Sequence, residues 1–544
     1  MLDSNRDIGK GYQIALLSLV VIVPFLLTRL PFYLYYPMVT LTPDSWTYSM
    51  LAFNILEGVP PQFDHRTPGY PLFIALVFKL FTGTNLSLAM TQSLVCLGAM
   101  LLFVYVIFRH LGARTALYTA MALTAASNTI TFVWSETTYM TESLYVSFLI
   151  MSLACLIHAL HGRNTLCWGM TSLLMGYTVW IRPGGLFLVI SISLITVYLI
   201  KNSYPRRTAL SFVTPFAMMM LSLATYNLCT IGSFTLSPFG ANNIFAVTMP
   251  FMETPKSLPP QVGKAFVDSV TPRVPINVRD TINNSWDIKE LRNAFFAVYP
   301  QNLAVTLELK NILQPPPGTA TPLMGLYPYM RNIARTSIKA HPILYAKFVG
   351  TMFLYYFLNV GEDEASLTAK EDIYNSVIRY NIYTLISHYN TMKTANTTQN
   401  AAIIRQTLNE YADPFPPKYP FYAMVLGKQG DGVKLELLLV RLKETGFQSL
   451  STSYLRYHKL LFKNIAWVML YLLAFSYGIY VLCKGRFSDV PSLIVVVIGS
   501  VPVLSAVLGS LMSVAYIRYS YVVEFCYYLT VALLPTLLIR KKRL

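Results

Sequence analysis

Charged side chains make up only 12% of these 544 residues, about half the share of an ordinary soluble domain, and acids are the scarcer sign, 25 against 42 lysines and arginines. A water-facing globular surface cannot be built from so little charge. With 54% hydrophobic residues, the chain reads instead as a polytopic membrane protein. Its net charge of +17 then records basic loops on one side of a bilayer, and nucleic acid is excluded as a partner. Cysteine is scarce as well. Cys96, Cys155, Cys167, Cys229, Cys483 and Cys526 all lie in or beside apolar segments, which excludes a disulfide framework and a cysteine metal site. Also missing are a Walker loop, a dinucleotide fingerprint after a strand, His-Glu-x-x-His and Gly-x-Ser-x-Gly. Nucleotide-driven transport and the familiar hydrolase chemistries have no support.

What is present is a series of apolar runs of membrane-crossing length. Seven occur at about 14–32, 86–108, 115–134, 140–160, 166–180, 184–200 and 210–231, and three more at 460–482, 491–514 and 519–539. The expected fold class is all-α, a transmembrane module of about ten spans with a large extracytoplasmic region. The first run is too extended and too aromatic at its far end for a cleaved signal. Arg6 and Lys10, Arg109 and Arg114, Arg163, Lys201 with Arg206 and Arg207, Lys484 and Arg486, and the basic run 540–543 all alternate onto a single side. That side is the cytoplasm. The division expected is an N-terminal module 1–231 with a first external loop at 33–85, an outward region 232–459, and a three-span segment 460–544. The stretch 343–358 is apolar but short, and its crossing would put the basic run 540–543 outside, so it reads as an interfacial or re-entrant helix. The outward region, with its proline-rich stretch 314–318 and amphipathic run 433–444, reads as a lid or acceptor-facing layer, or as a structural cap.

The chemistry is expected at the foot of the first loop. Thr42 suits a helix cap, Pro43 the first helical position and Gly58 its end, so Asp44 falls in the first turn, where the helix dipole favours a carboxylate. Asp64, His65 and Arg66 then lead into Thr67-Pro68-Gly69-Tyr70-Pro71, a turn whose prolines and glycine fix the backbone. Glu136 and Glu142 stand at the start of the fourth span. Carboxylates at a membrane edge are costly unless solvated or used. Glu136 is expected to reach interfacial water, and Glu142 to serve the chemistry. Arg182, in Ile181-Arg182-Pro183-Gly184-Gly185, and Arg518, among Tyr516, Tyr519 and Tyr521, are cations on the side where basic residues are rare. Each reads as a ligand for an anion or as an interface anchor.

Four of these features, in this order and all on the outer side, resemble the GT-C superfamily of polyprenyl-phosphate-dependent glycosyltransferases, which includes protein O-mannosyltransferases and the aminoarabinose transferases of lipid A. They are the acid Asp44 after the first span, Arg66-Thr67-Pro68-Gly69-Tyr70-Pro71, Thr141-Glu142-Ser143-Leu144, and Arg182-Pro183-Gly184-Gly185. Many relatives have Asp-Glu where this chain has Asp44-Ser45. The likeness implies an inverting transfer of a monosaccharide from a polyprenyl-phosphate donor to a lipid, glycan or protein acceptor of the envelope. In that reading Asp44 is the base, with Glu142 the next catalytic candidate. Arg66, Arg182 and Arg518 hold the donor phosphate. Trp46, Tyr48, His65 and Tyr70 line the sugar or isoprenoid path. No metal ligand is assigned; a divalent cation is the one cofactor to consider. The expected setting is a bacterial inner membrane with the site facing the periplasm or exterior. The rival classes are a secondary transporter or flippase for an anionic or lipid-linked substrate, and a ligase or polymerase of lipid-linked glycans. Transporters often carry two related halves, and seven spans, a one-sided segment and three spans show no such symmetry.

Overall fold

The computed structural model describes residues 2–35, 43–63, 66–81, 85–162, 164–299, 301–313, 322–358, 465–485, 489–512 and 517–541. The first part folds as α1 (Leu2–Tyr35), α2 (Pro43–Leu56), α3 (Gly69–Leu80), α4 (Asn85–Leu111), α5 (Ala113–Ser127), α6 (Ile130–Glu136), α7 (Glu142–Gly162), α8 (Thr165–Ile181), a 3-10 turn at Pro183–Phe187, α9 (Leu188–Lys201) and α10 (Arg206–Ile231). Beyond it come α11 (Gly240–Thr248), α12 (Pro260–Val270), α13 (Ile276–Asn284), α14 (Ile288–Val298), α15 (Gln301–Ile312), α16 (Pro322–Ala340) and α17 (Pro342–Leu358). The last described helices are α18 (Ile465–Lys484), α19 (Val490–Met512) and α20 (Ile517–Lys541). The proline-rich stretch 314–318 and the amphipathic run 433–444 lie outside the described residues.

The all-α expectation holds. Among the described residues, seven helices are long and apolar enough to cross a membrane: Gly9–Leu30, Ser87–Leu111, Glu142–Gly162, Pro183–Lys201, Arg206–Ile231, Trp467–Lys484 and Val490–Leu511. Each coincides with an expected span. The other three expected spans are helical but fall short for separate reasons. Helix α8 has 17 residues, and the apolar part of α20 among the described side chains is Val523–Leu538. The expected span 115–134 is broken: α5 stops at Ser127 and α6 begins at Ile130. At the break the Asn128 amide donates to Thr124 O, and the Thr129 hydroxyl accepts from the Phe132 amide. Short polar side chains that compete for backbone hydrogen bonds end one helix and cap the next.

The transmembrane helices share one core. Helix α4 lies between α5 and α7, α8 between α7 and α10, and α1 rests on α4 and α5. The last three helices are not a separate layer, because α20 packs along α5 and α19 against the 3-10 turn, and residues of all three join the same apolar cluster. Every turn between these helices falls at one of two ends. One end carries Arg109, Lys201, Arg206, Arg207 and Lys484; the other carries the starts of α3 and α7 and the turn at Arg182.

At that second end α11 to α16 form a smaller helical layer with an apolar core of its own, built on Phe245, Phe266, Met330 and Ile333. Helix α17 leads from this layer onto the bundle. Its Tyr345 hydroxyl donates to Leu511 O at the end of α19, and its Tyr356 hydroxyl to Ser505 Oγ. Tyr356 also belongs to the apolar core that the transmembrane helices share.

Candidate active site

Helix α2 begins at Pro43 and ends before Gly58, whose φ of +75° lies in the left-handed region that favours glycine. The Val59 amide closes that end on Asn54 O at 2.8 Å. Asp44 is thus the second residue of the helix, as the capping pattern implies. Its side chain and those of Trp46 and Arg518 lie outside the described set, and so does the whole of Asp64 and His65. Arg66 is tied to the same first turn of α2. Its Nε donates to Thr47 Oγ1 at 2.8 Å, and its guanidinium sits 4.7 Å from the centre of the Tyr48 ring.

The turn after Arg66 docks on the end of α8. A Cβ on Gly69 would stand 2.6 Å from both the Ile181 nitrogen and the Trp180 carbonyl carbon, so only glycine permits the approach. Two hydrogen bonds fasten it: Thr67 Oγ1 donates to Ile181 O, and the Tyr177 hydroxyl donates to Gly69 O. The next residue after Ile181 is Arg182. The chain turns there through Pro183-Gly184-Gly185, with the Gly185 amide donating back to Arg182 O at 2.9 Å and Gly185 packed against the Tyr145 ring.

Arg182 faces the start of α7. Its terminal nitrogen lies 3.0 Å from Glu142 Oε1, with 14% of the arginine side chain exposed and 3% of the glutamate. Glu142 occupies the first turn of α7, where the dipole favours its charge, and Thr141 Oγ1 donates to its other oxygen. Both carboxylate oxygens of Glu142 are thus engaged, one by Arg182 and the other by Thr141. The arginine keeps its exposed edge. The docked turn therefore ties the segment that follows Arg66 to the residue that precedes Arg182, and Arg182 pairs with Glu142.

Tyr48 and Tyr70 do not face an open path. Both are buried, edge to face with ring centres 5.0 Å apart, so they stand behind the site. Glu136 corrects the expectation of interfacial water. It is 0% exposed and paired with Arg29, itself 1% exposed. All five N–H groups of Arg29 are used: two on the Glu136 oxygens at 3.0 Å, and the others on Ser127 O, Asn128 Oδ1 and Thr28 Oγ1. Ser93 Oγ adds a 2.6 Å bond to Glu136. Sequence reading missed this pair because Arg29 was absorbed into the first apolar run; a lone arginine within such a run is the signal that would have found it. Gln92, beside Ser93, was missed too, since nothing in the sequence marks its partners.

No group of three His, Cys, Asp or Glu among the described residues is arranged to hold a metal ion.

Residues 65–228, which contain Arg66, Glu142 and Arg182, match the family described as dolichyl-phosphate-mannose-protein mannosyltransferase. The GT-C resemblance carried by the motifs is borne out over that segment. No curated protein matches the chain. Among solved structures it is similar to the oligosaccharyltransferase of Archaeoglobus fulgidus, at 11% identity and a TM-score of 0.39 over 98% of this chain and 49% of that one. It is also similar to ArnT from Cupriavidus metallidurans bound to undecaprenyl phosphate, at 13% identity and a TM-score of 0.31 over 80% and 77% of the two chains. The chain thus spans about half the length of the oligosaccharyltransferase.

Proposed function

We propose that this protein, a membrane glycosyltransferase of the GT-C type, moves a monosaccharide from a polyprenyl-phosphate donor to an envelope lipid, glycan or protein at the end of the bundle that carries Arg66 and Arg182. The observation that supports the reading is the docking of Gly69 on Ile181, which joins the turn that follows Arg66 to the residue that precedes Arg182, two cations from distant stretches of the chain. Two arginines at one membrane edge suit a phosphate that gains charge as its sugar departs.

In the proposed step Asp44 takes the proton of the acceptor hydroxyl as its oxygen attacks the anomeric carbon, and the bond from that carbon to the phosphate oxygen breaks on the opposite face. Configuration inverts. The electron pair leaves with the polyprenyl phosphate, and Arg66 and Arg182 neutralise it. Because a first-turn aspartate is a weak base, proton removal is concerted with attack. Glu142 keeps Arg182 in place and takes no proton. Arg518, in the first turn of α20, is assigned as a third phosphate contact. The charge of the end bearing Arg109, Lys201 and Lys484 supports assigning it to the cytoplasm, and the proposed site then faces the periplasm or exterior of a bacterial inner membrane.

Sugar transfer by purified protein from a panel of radiolabelled polyprenyl-phosphate monosaccharides to membrane extract tests this reading. Transfer from one donor, abolished in folded Asp44→Asn protein, is the expected result. Substrate uptake in proteoliposomes without transfer from any donor would overturn it in favour of a transporter.

A further inference from the structure

Gln92 is fully buried in α4, and its amide is divided between two segments that are not part of its own helix. Its Nε2 donates to Glu136 O at 2.8 Å and to Thr138 O at 3.3 Å, the carbonyls that open the non-helical strap 137–141 leading to Glu142. Its Oε1 accepts from the Tyr70 hydroxyl at 2.8 Å. Tyr70 closes the turn that begins at Arg66. Inside the strap, the Met140 amide donates to Thr138 O at 2.9 Å. One planar amide thus joins the turn that carries Arg66 to the strap that carries Glu142, and Glu142 in turn holds Arg182.

The helices around Gln92 have an apolar core to hold them together, and α3, α4 and α7 contribute many residues to it. The strap does not share in that security, because carbonyls outside a helix need partners of another kind. Glutamine suits the place because it carries donors and an acceptor on one rigid plane. A glutamate would lose both donors, and a methionine would fill the space without bonding.

We propose that Gln92, with Tyr70 as its partner, is a positioning residue for the donor phosphate, fixing the spacing between Arg66 and the Glu142–Arg182 pair. The proposal rests on the reading of this site as the place of a polyprenyl phosphate. Neither residue touches the phosphate. Their effect passes through the backbone of the turn and the strap.

The test uses the full chain in nanodiscs, with undecaprenyl phosphate and dolichyl phosphate as binding probes, and compares wild type with Gln92→Met, Tyr70→Phe and the double variant. Each single change should weaken binding of the preferred probe about tenfold and raise the KM for the donor, with the KM for the acceptor unchanged. The double variant should bind no more weakly than either single one, because both remove the same link. Tyr70→Phe removes one oxygen and keeps the ring, so it guards against a Gln92→Met protein that fails to fold. Lowered melting temperatures with unchanged probe affinity, or equal losses for donor and acceptor, would overturn the proposal and leave Gln92 as packing. Wild type that binds neither probe would overturn the donor reading itself, a result distinct from any difference among the variants.

Discussion

Gly69 and Ile181 meet backbone to backbone, so close that a methyl group on Gly69 would fall 2.6 Å from the Ile181 nitrogen. The turn and the end of α8 cannot part without moving Arg66 away from Arg182. The atoms in the way belong to the main chain, so no side-chain rotation relieves the clash. Gly69→Ala should cost about 1–3 kcal/mol of stability, as overpacking does. A displacement of about 1 Å at the site should lower transfer by about 100-fold. Unfolding titrations in detergent and transfer rates at matched folded protein check both numbers, and a fully active variant would show that the approach is not needed.

The two carboxylates should separate by kinetics. Asp44→Asn should lower kcat with the donor KM unchanged, because the proton acceptor acts in the chemical step. Glu142→Gln should raise the donor KM, since Arg182 then loses the charge 3.0 Å away that orients it. Steady-state rates over a range of donor concentrations distinguish these patterns. A collapse of kcat in Glu142→Gln at normal KM would move the base from α2 to α7.

Arg29 and Glu136 are expected to behave as a unit. Arg29→Met leaves a buried carboxylate without its partner and should cost about 3–5 kcal/mol. Glu136→Leu added to Arg29→Met should recover part of that loss, because no buried charge remains. Unfolding in mixed micelles measures all three proteins. Equal stability of the single and double variants would show that Glu136 carries no charge in the folded protein.

Sidedness has its own test. In a background without native cysteines, Glu57→Cys should react with a membrane-impermeant maleimide added outside intact cells, and Lys201→Cys only after lysis, since both positions are exposed at opposite ends of the bundle. The reverse pattern would put the proposed site in the cytoplasm.

Much of this was legible from residue type and order. Runs of apolar residues gave the helices, since no other backbone arrangement satisfies itself in lipid apart from a closed barrel. Pro43 and Gly58 gave the limits of α2, because a fixed φ and a left-handed φ mark a helix start and end. Arg66, Glu142 and Arg182 were each found by charge at a membrane edge, but the docking that ties their segments was not. It depends on Gly69, whose spacing looked like an ordinary turn and whose partner is more than 100 positions away. The break in the third expected span was hidden for another reason. Ser127, Asn128 and Thr129 are polar, but the apolar residues on either side carried the stretch as membrane sequence, and the arginine from α1 that binds Ser127 O and Asn128 Oδ1 has no signal in the local pattern.

The Arg29–Glu136 pair also sets an order of events during synthesis. The two residues are 107 positions apart, so at about 5–20 residues per second the arginine waits roughly 5–20 s for its partner to leave the ribosome. During that interval α1 lies in the bilayer with an uncompensated cation one to two turns from its end, near enough to the surface for the side chain to reach water. Once Glu136 arrives, the guanidinium can be drawn inward. The first helix is therefore tied to Glu136 only after the segment made 107 residues later has left the ribosome.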